Sequence, residues 1–172
     1  MPCSPTMLRR YLNPSFVETG TYLGEGVEAA LAAGFGNILS IELSESLFAD
    51  AKRKFVGDKR VNVIQGDSST ILEPLISTIT TTITFWLDAH YSFGITVKGN
   101  KMSPLVEELR AISSHPIKDH IILVDDRRFL GTEFMEPTED EIIREIMAIN
   151  PSYLISYEDG AIEQDIIVAR VV

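Results

Sequence analysis

The segment VETGTYLGEG, residues 17–26, decides how the rest of the sequence is interpreted. It begins inside a short apolar run, residues 16–19, and leads into an amphipathic stretch, residues 25–33. The apolar run predicts a buried strand, and the spacing of apolar residues after it predicts a helix. Three glycines in the segment predict a turn in which the backbone passes close to a ligand. The helix would point its unpaired N–H groups at that ligand.

The same alternation of strand and helix continues to the end of the chain. The pattern predicts strands at 16–19, 38–43, 61–65, 83–87, 120–124, 153–157 and 166–171, and helices at 25–33, 44–55, 69–77, 103–114 and 138–149. Such alternation is typical of a parallel sheet with helices on both faces. The turn-rich residues 158–160 join the last two strands into a hairpin. The predicted fold is α/β, a Rossmann-like doubly wound sheet of about seven strands, mostly parallel with an antiparallel C-terminal hairpin strand.

Length and composition limit the class of protein. The 172 residues are 45% hydrophobic and 23% charged, which predicts a single globular domain over residues 1–172, complete or excised from a longer protein. A net charge of −10 lacks the basic surface that binds phosphate backbones, so no nucleic-acid partner is expected. Cys3 is the only cysteine, which excludes an internal disulfide. The sequence shows no membrane segment or signal peptide, so we expect a soluble, intracellular, cytoplasmic protein with no membrane partner.

Acidic residues stand at the ends of the first three predicted strands. Glu18 ends the first strand, Glu42 ends the second, and Asp67 follows the third. The carboxyl ends of parallel strands meet at one edge of a sheet, where nucleosides bind. In such a site Glu42 can accept hydrogen bonds from both ribose hydroxyls, and Asp67 can accept one from an adenine amino group. The alternative for Asp67 is a helix cap.

A dinucleotide-binding pattern also occurs in the first loop. Gly24, Gly26 and Ala29 fit G-x-G-x-x-A. That pattern has to begin directly after the strand, but Gly24 comes four residues after Gly20, which holds the correct position. An NAD-dependent oxidoreductase is therefore an alternative and not the first choice.

Three aspartates follow the fourth and fifth predicted strands. Asp88 ends FWLD, and Asp125 and Asp126 end IILVDD. Neighbouring strands would bring the three carboxylates together, where they repel one another. A hard divalent cation such as Mg²⁺, Mn²⁺ or Ca²⁺ resolves that repulsion. The alternative is that one of the pair caps the next segment and faces water.

His90 lies two residues after Asp88 and is the candidate general base for a hydroxyl acceptor. The alternative is a histidine that only hydrogen-bonds to Asp88 or to the backbone. Residues 91–102 form a loop long enough to cover a substrate. His115 and His120 lie far from this edge and are expected to be structural.

Taken in order, the segments VETGTYLGEG, IELSES, QGDSS, FWLDAHYS and IILVDD resemble the class I S-adenosylmethionine-dependent methyltransferases. The resemblance runs over residues 16–126 and is strongest to the metal-dependent O-methyltransferases of catechol, caffeoyl-CoA and macrolide sugars. It implies that Asp88, Asp125 and Asp126 hold a catalytic Mg²⁺ or Mn²⁺. The catechol and caffeoyl-CoA enzymes have Asp-Asn where this chain has Asp125-Asp126.

The resemblance also implies a set of contacts to S-adenosylmethionine. Glu18, Gly20 and Gly24 would border its methionine part, Glu42 would hold the ribose, and Asp67 would lie at the adenine. The predicted cofactor contacts are Glu18, Gly20, Thr21, Tyr22, Gly24, Glu42, Leu43, Asp67, Ser68 and Asp88. Asp88 and His90 are the predicted catalytic residues.

The first functional hypothesis is therefore a metal-assisted O-methyltransferase that acts on a hydroxyl of a small molecule or glycan, with a sugar favoured. The short first helix, the loop at 91–102 and, in a homodimer, a second subunit would bind the acceptor. The alternatives are the NAD-dependent oxidoreductase and a non-catalytic nucleoside-binding module on the same fold.

Overall fold

A computed structural model describes residues 3–88 and 103–171. In chain order these residues form α1 (Pro5–Leu8), β1 (Ser15–Thr19), α2 (Glu25–Ala33), β2 (Asn37–Glu42), α3 (Glu45–Phe55), β3 (Val61–Gln65), α4 (Ser68–Ile76), β4 (Ile83–Leu87), α5 (Leu105–Ser114), β5 (Ile121–Val124), α6 (Glu139–Ile149), β6 (Leu154–Glu158) and β7 (Ile166–Arg170). Short 3-10 turns follow α1 and β5.

The seven strands form one sheet in the order β3-β2-β1-β4-β5-β7-β6. β7 runs antiparallel to both of its neighbours, and the other pairings are parallel. The predicted Rossmann-like α/β fold with an antiparallel strand near the C-terminus is confirmed. The strand order reverses between β1 and β4, where Thr19 pairs with Leu87, and Val124 of β5 pairs with Leu87 on the other side. The loops after these strands meet at this edge, which we call the carboxyl edge.

Local capping shifts two helix starts from their predicted positions. α4 begins at Ser68 because Asp67 caps it, with Asp67 Oδ1 accepting from the Ser69 N–H at 3.0 Å. α5 begins at Leu105, after Pro104 at the N-cap position, and its first N–H donates to Ser103 Oγ. Asp67 is therefore a cap, as the alternative interpretation predicted, and it still lies at the carboxyl edge.

Two apolar clusters fill the space on either side of the sheet. α1, α2 and α3 pack on one face, and α4, α5 and α6 on the other. Successive side chains of β4 point to opposite faces of the sheet. Phe85 packs in the cluster beneath α4, α5 and α6, and Trp86 packs in the cluster beneath α1, α2 and α3. Both side chains are fully buried, so the strand ends are held in place by a packed core. Over residues 3–88 and 103–171, none of the helices is long and apolar enough to cross a membrane.

A buried pair of histidines lies at the opposite edge of the sheet, which we call the amino edge, and hydrogen-bonds to the backbone there. The Ile83 N–H donates to His120 Nδ1 at 3.1 Å, so the proton of a neutral His120 is on Nε2. That nitrogen lies 3.0 Å from His115 Nδ1, and His115 Nε2 lies 2.9 Å from the Ile79 carbonyl oxygen. Burial lowers the pKa of His120 to about 4. The pair therefore acts as a neutral structural network, as the sequence predicted.

Candidate functional site

The turn after β1 is held against β2 by backbone hydrogen bonds. The N–H groups of Gly20 and Thr21 both donate to the Ile41 carbonyl, at 2.9 and 3.2 Å. Gly20 has a φ of 88°, which side-chain-bearing residues rarely adopt. Tyr22 also has a positive φ, 48°, and leaves its ring 44% exposed. The turn is thus a fixed backbone surface with an exposed aromatic side chain beside it.

Glu18 lies beneath this turn and not on its surface. Its side chain is 2% exposed, and Ser40 Oγ donates to its Oε2 at 2.6 Å. The Thr21 hydroxyl lies 2.6 Å from Ser40 Oγ, and since Ser40 donates to Glu18, Thr21 donates to Ser40. Burial raises the pKa of Glu18 to about 8, and the hydrogen bond from Ser40 opposes the rise. Glu18 therefore supports the turn from below.

Gly26 makes room for that carboxylate, and the sequence analysis did not include it among the site residues. A Cβ atom at Gly26 would lie 1.7 Å from Glu18 Oε1. The signal in the sequence was the third glycine of the loop, which was noted but given no role. Gly24 and Gly26 lie at the N-cap and inside α2, so they do not form the turn that receives a pyrophosphate. This placement disfavours the dinucleotide pattern.

Glu42 bridges the first and second loops of the carboxyl edge. Its Oε2 accepts from the Tyr22 N–H and its Oε1 from the Ser44 N–H, both at 2.8 Å. Each carboxylate oxygen has a second lone pair, so Glu42 retains capacity for the two hydroxyls of a ribose. Leu43 follows it and is partly exposed at the same edge.

Asp67 and Ser68 differ in the direction of their side chains. Asp67 is partly exposed, and its Oδ1 also accepts from Ser69 Oγ at 2.6 Å. The Ser68 hydroxyl points inward and donates to Glu108 Oε1 at 2.5 Å. An inward hydroxyl does not face a ligand directly, so a contact of Ser68 with the adenine stays a prediction that only its backbone could meet.

Glu108 is a residue of the site that the sequence analysis missed. It lies on α5, is 1% exposed, and shares a cavity of about 10 Å³ with Asp88 and Asp125. Burial raises the pKa of its carboxyl to about 7, although the hydroxyls of Ser68 and Thr19 lower it. In the sequence it is one acid of an amphipathic helix, and no spacing marks it as buried.

The three predicted metal ligands converge at the carboxyl edge. Each of Asp88, Asp125 and Asp126 offers a carboxylate oxygen, and these atoms lie within 4.8 Å of one another. Asp125 and Asp126 are buried, at 2% and 7% exposure, and Asp88 is partly exposed. Backbone bonds place them, since the Asp88 N–H donates to Thr19 O and the Asp125 N–H to Leu87 O, both at 3.1 Å.

The electrostatics of this cluster favour a cation. Burial, with the charges of Asp88 and Asp126, raises the pKa of Asp125 to about 8. Arg128 supplies one counter-charge, with its Nη1 2.6 Å from Asp126 Oδ1 and in an ion pair with the buried Asp165. Three hard oxygen donors, with the Arg128 guanidinium beside one of them, fit a divalent ion of the Mg²⁺ or Mn²⁺ type.

His90 and the loop at 91–102 lie outside the described residues. The general base and the acceptor-covering loop therefore stay predictions. Arg127, which follows the aspartate pair, forms an ion pair with Glu139 at 2.8 Å and stacks over the Tyr157 ring.

Comparison with known proteins places this geometry in a fold. No protein-family model matches the sequence, and no curated protein matches it. The structure, however, is similar to solved methyltransferases. The O-methyltransferase from Bacillus cereus, solved in complex with SAH, has 17% identity and a TM-score of 0.66, over 98% of this chain and 78% of that chain.

Two further solved structures carry the methyl donor. CalS10, an amino pentose methyltransferase from Micromonospora echinaspora solved with SAM bound, has 14% identity and a TM-score of 0.62, over 98% of this chain and 88% of that chain. TomG, an O-methyltransferase from Streptomyces achromogenes solved in complex with SAM, has 15% identity and a TM-score of 0.63, over 98% and 77% of the two chains. At these identities the similarity shows the fold, which is the Rossmann-like fold of S-adenosylmethionine-dependent methyltransferases.

Proposed function

We propose that this protein is an S-adenosylmethionine-dependent, divalent-metal-assisted O-methyltransferase that acts on a hydroxyl of a small molecule or glycan. The observation that carries the proposal is the convergence of Asp88, Asp125 and Asp126 within 4.8 Å, at the same edge as the Gly20 turn. A nucleoside-binding module alone does not need three carboxylates in mutual repulsion. The methyltransferase fold supplies the context for both features.

The described residues fit the proposed cofactor. The Gly20 turn exposes backbone at the end of β1, Glu42 can accept from ribose hydroxyls, and Asp67 lies beyond it at the end of β3.

Asp88, Asp125 and Asp126 would hold the Mg²⁺ or Mn²⁺ ion. The bound ion would stabilise an alkoxide and orient the acceptor oxygen. Asp126 adopts a left-handed backbone conformation, with a φ of 59°, and its N–H donates to Asp125 Oδ1 at 2.8 Å. Such strain is characteristic of functional sites, where it places a side chain that a relaxed backbone would place elsewhere.

The reaction has a simple balance of atoms. A C–O bond forms between the methyl carbon and the acceptor, the C–S bond breaks with its electron pair left on sulfur, and the hydroxyl proton leaves. In this proposal His90 accepts that proton, because an aliphatic hydroxyl is barely ionised near neutral pH. The carboxylates and the β1 turn hold donor and acceptor in line, which accounts for much of such catalysis.

A sugar is the acceptor class that we favour. An aliphatic hydroxyl is barely ionised near neutral pH, and coordination to a metal would lower its pKa. The solved structures with this fold include an amino pentose methyltransferase, which makes a carbohydrate acceptor compatible with the architecture. The net charge of −10 disfavours a nucleic-acid acceptor.

Binding and turnover experiments test the proposal. Calorimetry should detect S-adenosylhomocysteine binding and no NADH binding; the reverse result would support the oxidoreductase. Methyl transfer to a panel of sugars, small alcohols and catechols should require Mg²⁺ or Mn²⁺ and should stop with EDTA. Transfer that continues in EDTA would overturn the metal role and leave the cofactor role intact.

The His90→Ala variant tests the proton acceptor. Turnover should fall by about a hundredfold or more, as expected for the loss of a general base, with unchanged S-adenosylhomocysteine affinity. His115→Ala is not a suitable control because His115 is structural, so Lys59→Ala at an exposed position before β3 serves instead. Unchanged turnover in His90→Ala would remove this residue as the base.

A further inference from the structure

Glu108 is a buried carboxyl group between the cofactor side and the metal side of the site. Its Oε1 accepts from Ser68, the first residue of α4, and the Thr19 hydroxyl at the end of β1 lies close to it. On its other side it shares a cavity with Asp88 and Asp125. Glu108 thus lies behind the point where the ends of β1 and β4 meet.

The charge of Glu108 has no cationic partner among the described residues. Its hydrogen-bonding neighbours are two hydroxyls, and the charged groups that act on it are the acids Asp67 and Asp88. A buried carboxylate without a counter-ion costs free energy, and replacement by an apolar or amide side chain is often neutral or stabilising. A buried acid with a perturbed pKa that borders a site is a candidate for a group whose charge acts on a ligand.

The proposed reaction changes the charge of the ligand in this pocket. The methyl donor is a sulfonium cation, whereas the product that remains is a neutral thioether of almost the same shape. When Glu108 is ionised, its negative charge behind the pocket attracts the first and not the second, and this attraction is strong where water is excluded. Hydrogen bonds to ribose and adenine cannot make this distinction, because those parts are identical in the two molecules.

We propose that Glu108 is a specificity-determining residue whose charge makes the pocket bind the sulfonium donor in preference to the thioether product. This inference rests on the proposed function. It assigns Glu108 no contact with the acceptor and no role as a metal ligand. Its consequence is that the loss of charge on methyl transfer weakens binding and favours product release.

The test measures the affinities of S-adenosylmethionine and S-adenosylhomocysteine by calorimetry at one pH above the raised pKa of Glu108, at constant ionic strength and Mg²⁺ concentration. Glu108→Gln keeps the shape of the side chain and an oxygen that accepts from Ser68. For a charge pair in a partly screened site we expect the donor to bind about tenfold more weakly, with the product affinity changed by less than about twofold. A purely structural role would weaken both ligands equally, which would overturn the inference.

Three more variants complete the experiment. Glu108→Asp keeps the charge and should keep the wild-type ratio of the two affinities. Glu108→Met is a second neutral variant that needs no hydrogen-bond partner, and it should reproduce the lowered ratio if the Gln variant does not fold. Glu73→Gln makes the same chemical change at an exposed position of α4 and should leave the ratio unchanged.

Each remaining outcome is decisive. An unchanged ratio in a folded neutral variant would overturn the inference while wild-type binding of both ligands upholds the proposed cofactor. A wild-type protein that binds neither ligand would overturn the proposed function, and this inference with it.

Discussion

The two edges of the sheet treat buried titratable side chains in opposite ways. At the amino edge, the nitrogens of His115 and His120 all contact donors or acceptors, and the pair is neutral. At the carboxyl edge, Glu18, Glu108 and Asp125 are buried among other acids, and their pKa values are raised to between about 7 and about 8.

This difference distinguishes titratable groups that stabilise the fold from titratable groups that are suited to bind a ligand. A satisfied polar network joins elements at little cost, and nothing remains for a ligand to do. Acids held together at close range destabilise the ligand-free fold, and a cation that binds them recovers that free energy. We therefore expect variants at the amino edge to change stability alone and variants at the carboxyl edge to change ligand binding.

The largest effect is expected for Asp125→Asn, which removes a central charge of the carboxylate cluster. Mn²⁺ affinity should fall by more than about a hundredfold, since even groups that only support a metal ligand cost up to that much. The free energy of unfolding without metal should stay the same or rise, because repulsion is relieved. Titration calorimetry and urea unfolding measure the two quantities.

Asp119→Asn is the matched control for that prediction, since Asp119 is exposed beside the histidine pair. It should leave metal affinity unchanged. Wild-type Mn²⁺ affinity in Asp125→Asn would contradict the proposed difference between the edges, because the carboxyl edge would then not bind the metal through this cluster.

Gly26→Ala should have the next largest effect. The added Cβ would lie 1.7 Å from Glu18 Oε1, so the carboxylate would have to leave its hydrogen bond with Ser40. We expect a loss of about 3 kcal/mol in unfolding free energy, the upper range for overpacking, together with weaker S-adenosylhomocysteine binding.

Gly36→Ala is the matched control for this substitution and lies at the amino edge. A Cβ at Gly36 would have no atom within 4 Å, so the change should cost less than about 1 kcal/mol. Equal effects of the two substitutions would mean that the Glu18 contact is unimportant.

His120→Phe should destabilise the fold without a change in ligand affinity. The Ile83 N–H would lose its acceptor in a fully buried position, and His115 Nδ1 would keep only the Ile117 N–H as a donor. Unsatisfied groups of this kind cost about 2 kcal/mol, which urea unfolding would detect. Weaker Mn²⁺ binding by the folded variant would show that the two edges are coupled.

The last prediction concerns the pH dependence of stability, which should have opposite signs at the two edges. The folded pKa values of Glu18 and Glu108 lie above those of the unfolded chain, so their contribution to stability falls as pH rises from about 4.5 to about 8. The folded pKa of His120 lies below its unfolded value, so its contribution rises as pH rises from about 4 to 6.5.

Urea unfolding of the ligand-free protein across pH 4.5–8 measures both contributions to the pH dependence of stability. Between pH 6.5 and 8 stability should fall, because the raised pKa values of Glu18 and Glu108 lie in this range, whereas most of the His120 contribution has been gained at lower pH. Glu18→Gln should reduce that slope, and His120→Phe should reduce only the acidic limb. A slope that rises above pH 6.5 would contradict the buried acids.

Local patterns in the sequence were sufficient to predict most of the fold. Apolar runs and amphipathic stretches predicted every strand of the sheet, and the acids at the ends of three strands predicted one shared edge. These features depend on local periodicity and on the rule that parallel strands end together.

What the sequence could not predict depends on the direction of side chains. Glu108 is one of two adjacent acids on α5, and only packing shows that it is the one that reaches Ser68. Ser68 was expected at the adenine, but its hydroxyl points inward. Arg128 pairs with both Asp126 and Asp165 because β7 brings the latter across from a distant part of the chain.

The left-handed backbone at residue 126 restricts which amino acids can occupy it. Among side chains with an oxygen, aspartate and asparagine are the two that tolerate such a φ readily, and glycine offers no ligand at all. The backbone conformation and the need for an oxygen ligand thus select the same two amino acids. A library randomised at this codon should return almost only those two residues from a screen for turnover, whereas position 125 has no such conformational filter.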